Sequence, residues 1–125
     1  MFDLVNDETS IKLLREFHDK SKYVVAVCHG SAALINVKLA DGTNLIAGEK
    51  VTGFSDAEEV IANRPKDMPF HLEDSLNVAS NGGYEKAAEA WAPKVLVSST
   101  KKLMTGQNPA SAHPLAIELL KKLQA

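Results

Sequence analysis

The run Val24-Val25-Ala26-Val27 leads directly into Cys28-His29-Gly30-Ser31-Ala32-Ala33, and this junction constrains the fold more than any other segment. A β-branched stretch apolar on both faces predicts a buried, parallel-type strand from Tyr23 to Val27. Small residues directly after it predict a tight turn into a helix, from His29 or Gly30 to about Asn36. Such a strand–turn–helix elbow lifts one side chain above the end of a sheet and needs small neighbours beneath the bend. Gly30 and Ala32 are read as supplying that room. Cys28 is the only cysteine in the chain, so the side chain at the elbow is a free thiol.

The remaining pattern fits an α/β layered domain. A helix is expected from about Glu8 to Lys20, capped by Asn6 or Asp7, with Ile11, Leu14 and Phe17 on its apolar face and Leu13 beside them. Asp41-Gly42 is a strong two-residue turn signal, so Val37–Leu39 and Leu45–Ala47 are expected to form a small β-hairpin after the elbow helix. Lys50–Phe54 reads as a further strand. Ser55 and Glu58 match a capping box for a helix from Asp56 to about Ala62. Another helix is expected from Pro69 to about Ala79, ended by Asn81-Gly82-Gly83. Val95–Val97 and Lys102–Met104 read as short strands. Asn108 as N-cap and Pro109 at the first helical position start a last helix running from about Ala110 to Leu123. From the elbow strand onward the order β-α-β-β-β-α-α-β-β-α implies alternating layers. One difficulty stands out. An elbow strand normally lies near the centre of its sheet, yet almost nothing strand-like precedes Tyr23.

Composition narrows the function. The 125 residues suffice for one domain, taken as 1–125. Hydrophobic residues at 45% and charged residues at 24% are ordinary for a globular chain. A net charge of −2 provides no basic field for nucleic acid or an anionic membrane. No apolar run is long enough to span a bilayer. The acidic start Met1-Phe2-Asp3-Leu4 lacks a signal-peptide pattern. A single cysteine forbids an internal disulfide, so a reducing, cytoplasmic compartment is expected.

A lone cysteine is most often core filler. At a strand end and helix start, the same residue fits a nucleophile, because the helix dipole favours the reactive thiolate. His29 is the candidate base, although a regular strand would send adjacent side chains to opposite faces, so the turn must redirect one of them. Such a base needs a third group to fix its tautomer. Among Asp56, Glu58 and Glu59, the first two have structural uses at the helix start, which leaves Glu59 as the candidate and an ordinary surface glutamate as the alternative. His18 reads as solvated and His71 as structural or surface. His113 reads as a pocket residue at most. The free amides at Asn108-Pro109-Ala110-Ser111 fit either a capped helix alone or a contact to a substrate oxygen. Trp91 reads as packing under a loop.

Four segments in order, Ala26–Leu34, Lys50–Ser55, Pro69–Glu73 and Thr105–Ser111, resemble the ThiJ/PfpI superfamily, which has a class I glutamine-amidotransferase-like fold. The similarity is closest to its branch of glutathione-independent glyoxalases and stress chaperones. The resemblance implies a flavodoxin-like three-layer α/β sandwich. It implies catalytic roles for Cys28, His29 and Glu59, with Glu58 the one-off alternative, and substrate contacts at Gly30 and Asn108. It implies conversion of methylglyoxal, a small 2-oxoaldehyde, to D-lactate without metal or organic cofactor. A homodimer is the expected assembly. The match begins near the middle of the family's domain. The family's first strands, its oxyanion-stabilising loop and the glutamate that approaches the thiol would all precede Met1. The expectation is therefore a truncated product, incomplete at its N-terminal side and slow or inactive unless another polypeptide supplies that glutamate. Two further expectations from the same family are a chaperone-like protein using an exposed sheet edge and a redox sensor oxidised at Cys28.

Overall fold

The computed structural model describes all 125 residues, Met1–Ala125. Helix α1 (Glu8–Asp19) starts where the Asp7 carboxylate accepts from the Ser10 amide at 2.7 Å, satisfying one of the donors a helix start leaves free. Ile11 and Leu14 pack on the core, but Leu13 and Phe17 are 53% and 45% exposed. The expected apolar face of α1 is thus only half covered.

Strand β1 (Val24–Val27), β2 (Val95–Val97) and β3 (Leu103–Gly106) form a sheet of order β1-β3-β2. β1 runs parallel to β3, with Val24 opposite Leu103 and Val27 opposite Gly106, and β2 runs antiparallel to β3. The centre of the sheet is therefore β3, all four of whose residues are buried, and not the elbow strand. β1 lies at an edge, with Val24 buried and Val25 36% exposed. The expectation of a fully buried elbow strand is corrected: β3 pairs with one edge of β1 and no strand pairs with the other.

Eleven buried apolar residues form the main core, among them Val24, Leu34, Ile46, Val51, Leu72, Leu76 and Leu103. On the opposite side, Leu115 of helix α4 (Ala112–Gln124) and Val27 crowd against Gly106, where an added Cβ would come within 3.2 Å of both. The sheet is thus layered between the core and α4.

Several segments differ from the sequence expectation in instructive ways. The Asp41-Gly42 turn closes, with Asp41 accepting from the Thr43 amide and hydroxyl, but the flanking segments make only one bridge, Lys38 with Asn44. No hairpin strands form. Lys50–Phe54 is likewise not a strand in the sheet and makes a single bridge from Val51 to Tyr84. It is buried beside β3, where the Thr105 hydroxyl accepts from the Thr52 amide at 3.0 Å and takes the place of a ladder bond. Helix α2 (Asp56–Ile61) has both halves of the expected capping box. Helix α3 (Leu72–Ala79) begins three residues later than expected, with Pro69 and Phe70 in a bend and His71 as N-cap. A 3₁₀ turn (Pro109–Ser111), capped by Asn108, leads into α4.

Candidate active site

The elbow is a strained turn. Cys28 has φ +58°, a left-handed conformation that non-glycine residues adopt mainly where the surrounding structure imposes it. The segment Cys28–Leu34 that follows is a 3₁₀ helix. Ser31 donates its hydroxyl to the Cys28 carbonyl at 2.8 Å, and the Phe54 amide donates to the same carbonyl at 3.5 Å, so the bend is held from two sides. Ala32 is buried beneath it. Gly30 is not needed for room: a Cβ there would meet nothing within 4 Å. The steric reading of Gly30 is corrected, and the open space above it leaves access to the thiol side.

The turn places the Cys28 and His29 side chains on one side. Cys28 Sγ lies 3.6 Å from His29 Nδ1. His29 Nε2 is hydrogen-bonded to Glu59 Oε1, and Glu59 is 6% exposed. A carboxylate can only accept, so Nε2 carries the proton and the Nδ1 lone pair faces the thiol. The His29 ring also packs on Phe54, with centroids 4.4 Å apart, and Phe54 meets Trp91 edge-on at 5.5 Å. The imidazole is thereby fixed in orientation by an ionic partner and an aromatic wall.

The electrostatics depart from expectation. Burial pushes the Cys28 thiol above its ordinary value, the His29 amide pulls it down, and the Glu58 and Glu59 carboxylates push it further up. Net, the thiol is held protonated, the reverse of the dipole-favoured thiolate expected from sequence. Burial of the thiol outweighs what one short 3₁₀ segment supplies, and the two carboxylates in the first turn of α2 add to it. The arrangement therefore needs an adjacent base to take the thiol proton, and His29 Nδ1 is the group in place.

The two neighbouring glutamates have separate positions. Glu58 is fully buried, and its hydrogen-bond partners do not include His29. It completes the α2 capping box with Ser55, accepts from the Trp91 amide at 2.9 Å and accepts from Asn108 Nδ2 at 2.7 Å. Burial pushes the Glu58 carboxyl up, but hydrogen bonds from Ser55, Asn108, Gln107 and Trp91 outweigh it and hold the group below its ordinary value. Asn108 is also fully buried. Its amide nitrogen donates to Glu58 and to the Ala92 carbonyl, and its oxygen accepts from Ser111. Every polar atom of this side chain is engaged internally, so the expected substrate contact by Asn108 is corrected: the residue ties the start of α4 to α2. Trp91 sits at φ +67° as the edge of the aromatic wall, a contact the sequence reading did not connect to the site. The Glu–Ala–Trp spacing carried no periodic signal for it.

The other histidines lie elsewhere. His113 is exposed on α4 and His18 half-buried on α1. His71 is exposed at the start of α3, with Nδ1 3.4 Å from the Asp56 carboxylate. No helix is long and apolar enough to cross a membrane.

Comparison with known proteins identifies the family and the fold. The family model described as "DJ-1/PfpI family" matches residues 2–122. The chain is 34% identical over 120 residues to the glutamine amidotransferase-like class 1 domain-containing protein 1 of Bos taurus, covering 96% of this chain and 53% of that protein. It is 29% identical to the glutathione-independent glyoxalase HSP31 of Saccharomyces cerevisiae, covering 99% of this chain and 53% of the yeast protein. The crystal structure of Rapid Encystment Protein 24 KDa from Francisella tularensis superimposes with a TM-score of 0.89 at 39% identity, over 98% of this chain and 52% of that one. The chain thus spans about half the length of the relatives it matches. The fold is the flavodoxin-like α/β fold of these relatives, and the chain belongs to the DJ-1/PfpI family.

Proposed function

We propose that this chain carries the cysteine side of a glutathione-independent glyoxalase site, converting methylglyoxal to D-lactate in a reducing, cytoplasmic compartment. One observation supports this above others. A thiol on a left-handed elbow faces the free nitrogen of an imidazole whose other nitrogen is held by a buried glutamate. The name of the yeast relative supports the substrate class.

The chemistry runs as follows. His29 Nδ1 takes the Cys28 proton as Sγ adds to the aldehyde carbon of methylglyoxal, and the carbonyl oxygen takes a proton to give a hemithioacetal. A base removes the C1 hydrogen as a proton, giving an enediol, and a proton is delivered to C2. C1 is oxidised and C2 reduced, so no external redox partner is required. Water then cleaves the resulting thioester, releasing D-lactate and restoring the thiol. Glu59 stabilises the imidazolium each time His29 holds the extra proton. Gly30 leaves space for the substrate.

A chaperone-like reading is favoured by one separate observation, the exposed apolar residues Leu13, Phe17 and Val25 around a strand with one unpaired edge. The two are separated by incubating the purified chain with methylglyoxal in the absence of glutathione and measuring D-lactate with a stereospecific assay. D-lactate should form, and Cys28→Ala should abolish it. His29→Asn and Glu59→Gln should each lower the rate by about 10²-fold or more. A wild-type yield no higher than that of Cys28→Ala, with suppression of client aggregation intact, overturns the enzymatic reading in favour of the chaperone-like one.

A further inference from the structure

The aromatic wall beside His29 ends in an exposed ring that packing does not account for. Phe54 stacks on the imidazole at 4.4 Å and is almost wholly buried. Trp91 meets Phe54 edge-on at 5.5 Å, yet it is 39% exposed. A tryptophan that only fills space under a loop buries its indole, because that ring is among the largest apolar surfaces a residue carries.

The backbone beneath the indole is strained and tightly held. Trp91 has φ +67°, a region that a bulky residue occupies only where its surroundings impose it. Two fully buried side chains impose it here. Glu58 accepts from the Trp91 amide at 2.9 Å, and Asn108 Nδ2 donates to the next carbonyl, that of Ala92, at 2.7 Å. A buried carboxylate and a buried amide therefore fix the ring one aromatic contact away from the base, while much of it stays open to solvent. Methylglyoxal makes little use of such a surface, since its only apolar part is one methyl group. A phenyl group in the same position is flat, apolar and long enough to reach past the imidazole to the indole.

We propose that Trp91 is a specificity-determining residue that extends the apolar wall of the site, so that the chain prefers 2-oxoaldehydes with an aryl substituent over methylglyoxal. The proposal rests on the glyoxalase reading above and uses the same chemistry. Phenylglyoxal takes up one water, C1 is oxidised from aldehyde to carboxylate, C2 is reduced from ketone to alcohol, and mandelate leaves with the thiol restored.

The test compares kcat/KM for phenylglyoxal, read as mandelate formed, with kcat/KM for methylglyoxal, read as D-lactate formed. The unaltered chain should favour phenylglyoxal by at least about tenfold. Trp91→Ala should cut that ratio at least about tenfold, and Trp91→Phe, which keeps an aromatic ring, should retain most of it. Equal losses on both substrates mean a structural role alone and overturn the proposal, as does a ratio near one in the unaltered chain. Failure of the glyoxalase reading looks different, because then neither acid forms. Trp91 is the only tryptophan, so its fluorescence tests the contact without turnover. D-mandelate should shift the emission of the unaltered chain and bind at least about tenfold more tightly than D-lactate. Equal binding of the two acids, or an unmoved emission, overturns the assignment whether or not the chain turns over.

Discussion

The centre of this sheet and its β1 edge invert the usual rule of burial. Around β3 and α2, the molecule buries polar groups: Glu58, Asn108, Ser111 and Gln107 have almost no exposure, and each is hydrogen-bonded. Around α1 and β1 it exposes apolar ones, Leu13, Phe17 and Val25. The difference shows that hydropathy alone decides neither location. A carboxylate is tolerated inside because Ser55, Trp91 and Asn108 together replace its water. A leucine is tolerated outside because one exposed side chain costs little, although a cluster next to an open strand favours association.

The sharpest way to break this comparison is Glu58→Ala. It removes the acceptor of the part-buried Trp91 amide and of the buried Asn108 amide and should cost about 3–5 kcal/mol in urea unfolding. A loss under about 1 kcal/mol would show that the network is decoration. The same carboxylate has a pH signature. Its folded-state pKa is depressed, so its contribution is complete above the ordinary carboxyl value and is lost as pH falls through the lower folded value. Glu58→Gln should flatten that acid limb of stability against pH, and an unaltered limb would assign it to other groups.

A smaller effect is expected at Gly53. An added Cβ would lie 2.2 Å from Ser31 Oγ and 2.7 Å from Leu76 Cδ1. Gly53→Ala should destabilise by about 1–3 kcal/mol and disturb the elbow through Ser31, which braces the Cys28 carbonyl. Gly30→Ala, with open space around it, is the control and should be close to neutral.

The smallest effect on stability is expected on the exposed side. Leu13→Ser with Phe17→Ser should change unfolding free energy by under about 0.5 kcal/mol each. Light scattering at high protein concentration should fall if this face drives self-association. A large stability loss instead would mean that these residues are packed in solution.

The local features were legible in the sequence for physical reasons that act over a few residues. Asp7, the Ser55–Glu58 box and the Asn108 cap each satisfy donors three positions away, so their spacing alone carries them. The elbow was legible because β-branched residues abut small ones. Glu59 was reached by elimination, since Ser55 already claimed Glu58. The rest depended on partners far along the chain. Lys50–Phe54 has a strand-like composition, but β3 had already paired on both edges with β1 and β2, leaving only the Thr105 hydroxyl. Asn108 looked free because its distant acceptors, Glu58 and Ala92, leave no trace in its neighbourhood. The thiol was expected to ionise easily, but it is opposed first by burial under segments distant in the chain and then by carboxylates some thirty residues away.

By itself, then, the sequence determined the caps, the elbow and the pairing of a thiol with a candidate base, all set by hydrogen bonds and sterics between near neighbours. Only the tertiary structure decided that β3 is central and β1 an edge, and that Glu59 holds His29 while Glu58 holds Asn108. It also decided that the thiol stays protonated until a base acts. Those outcomes depend on which surfaces exclude water and on charges brought close by folding, and Coulomb and desolvation energies follow distance in space, not position along the chain.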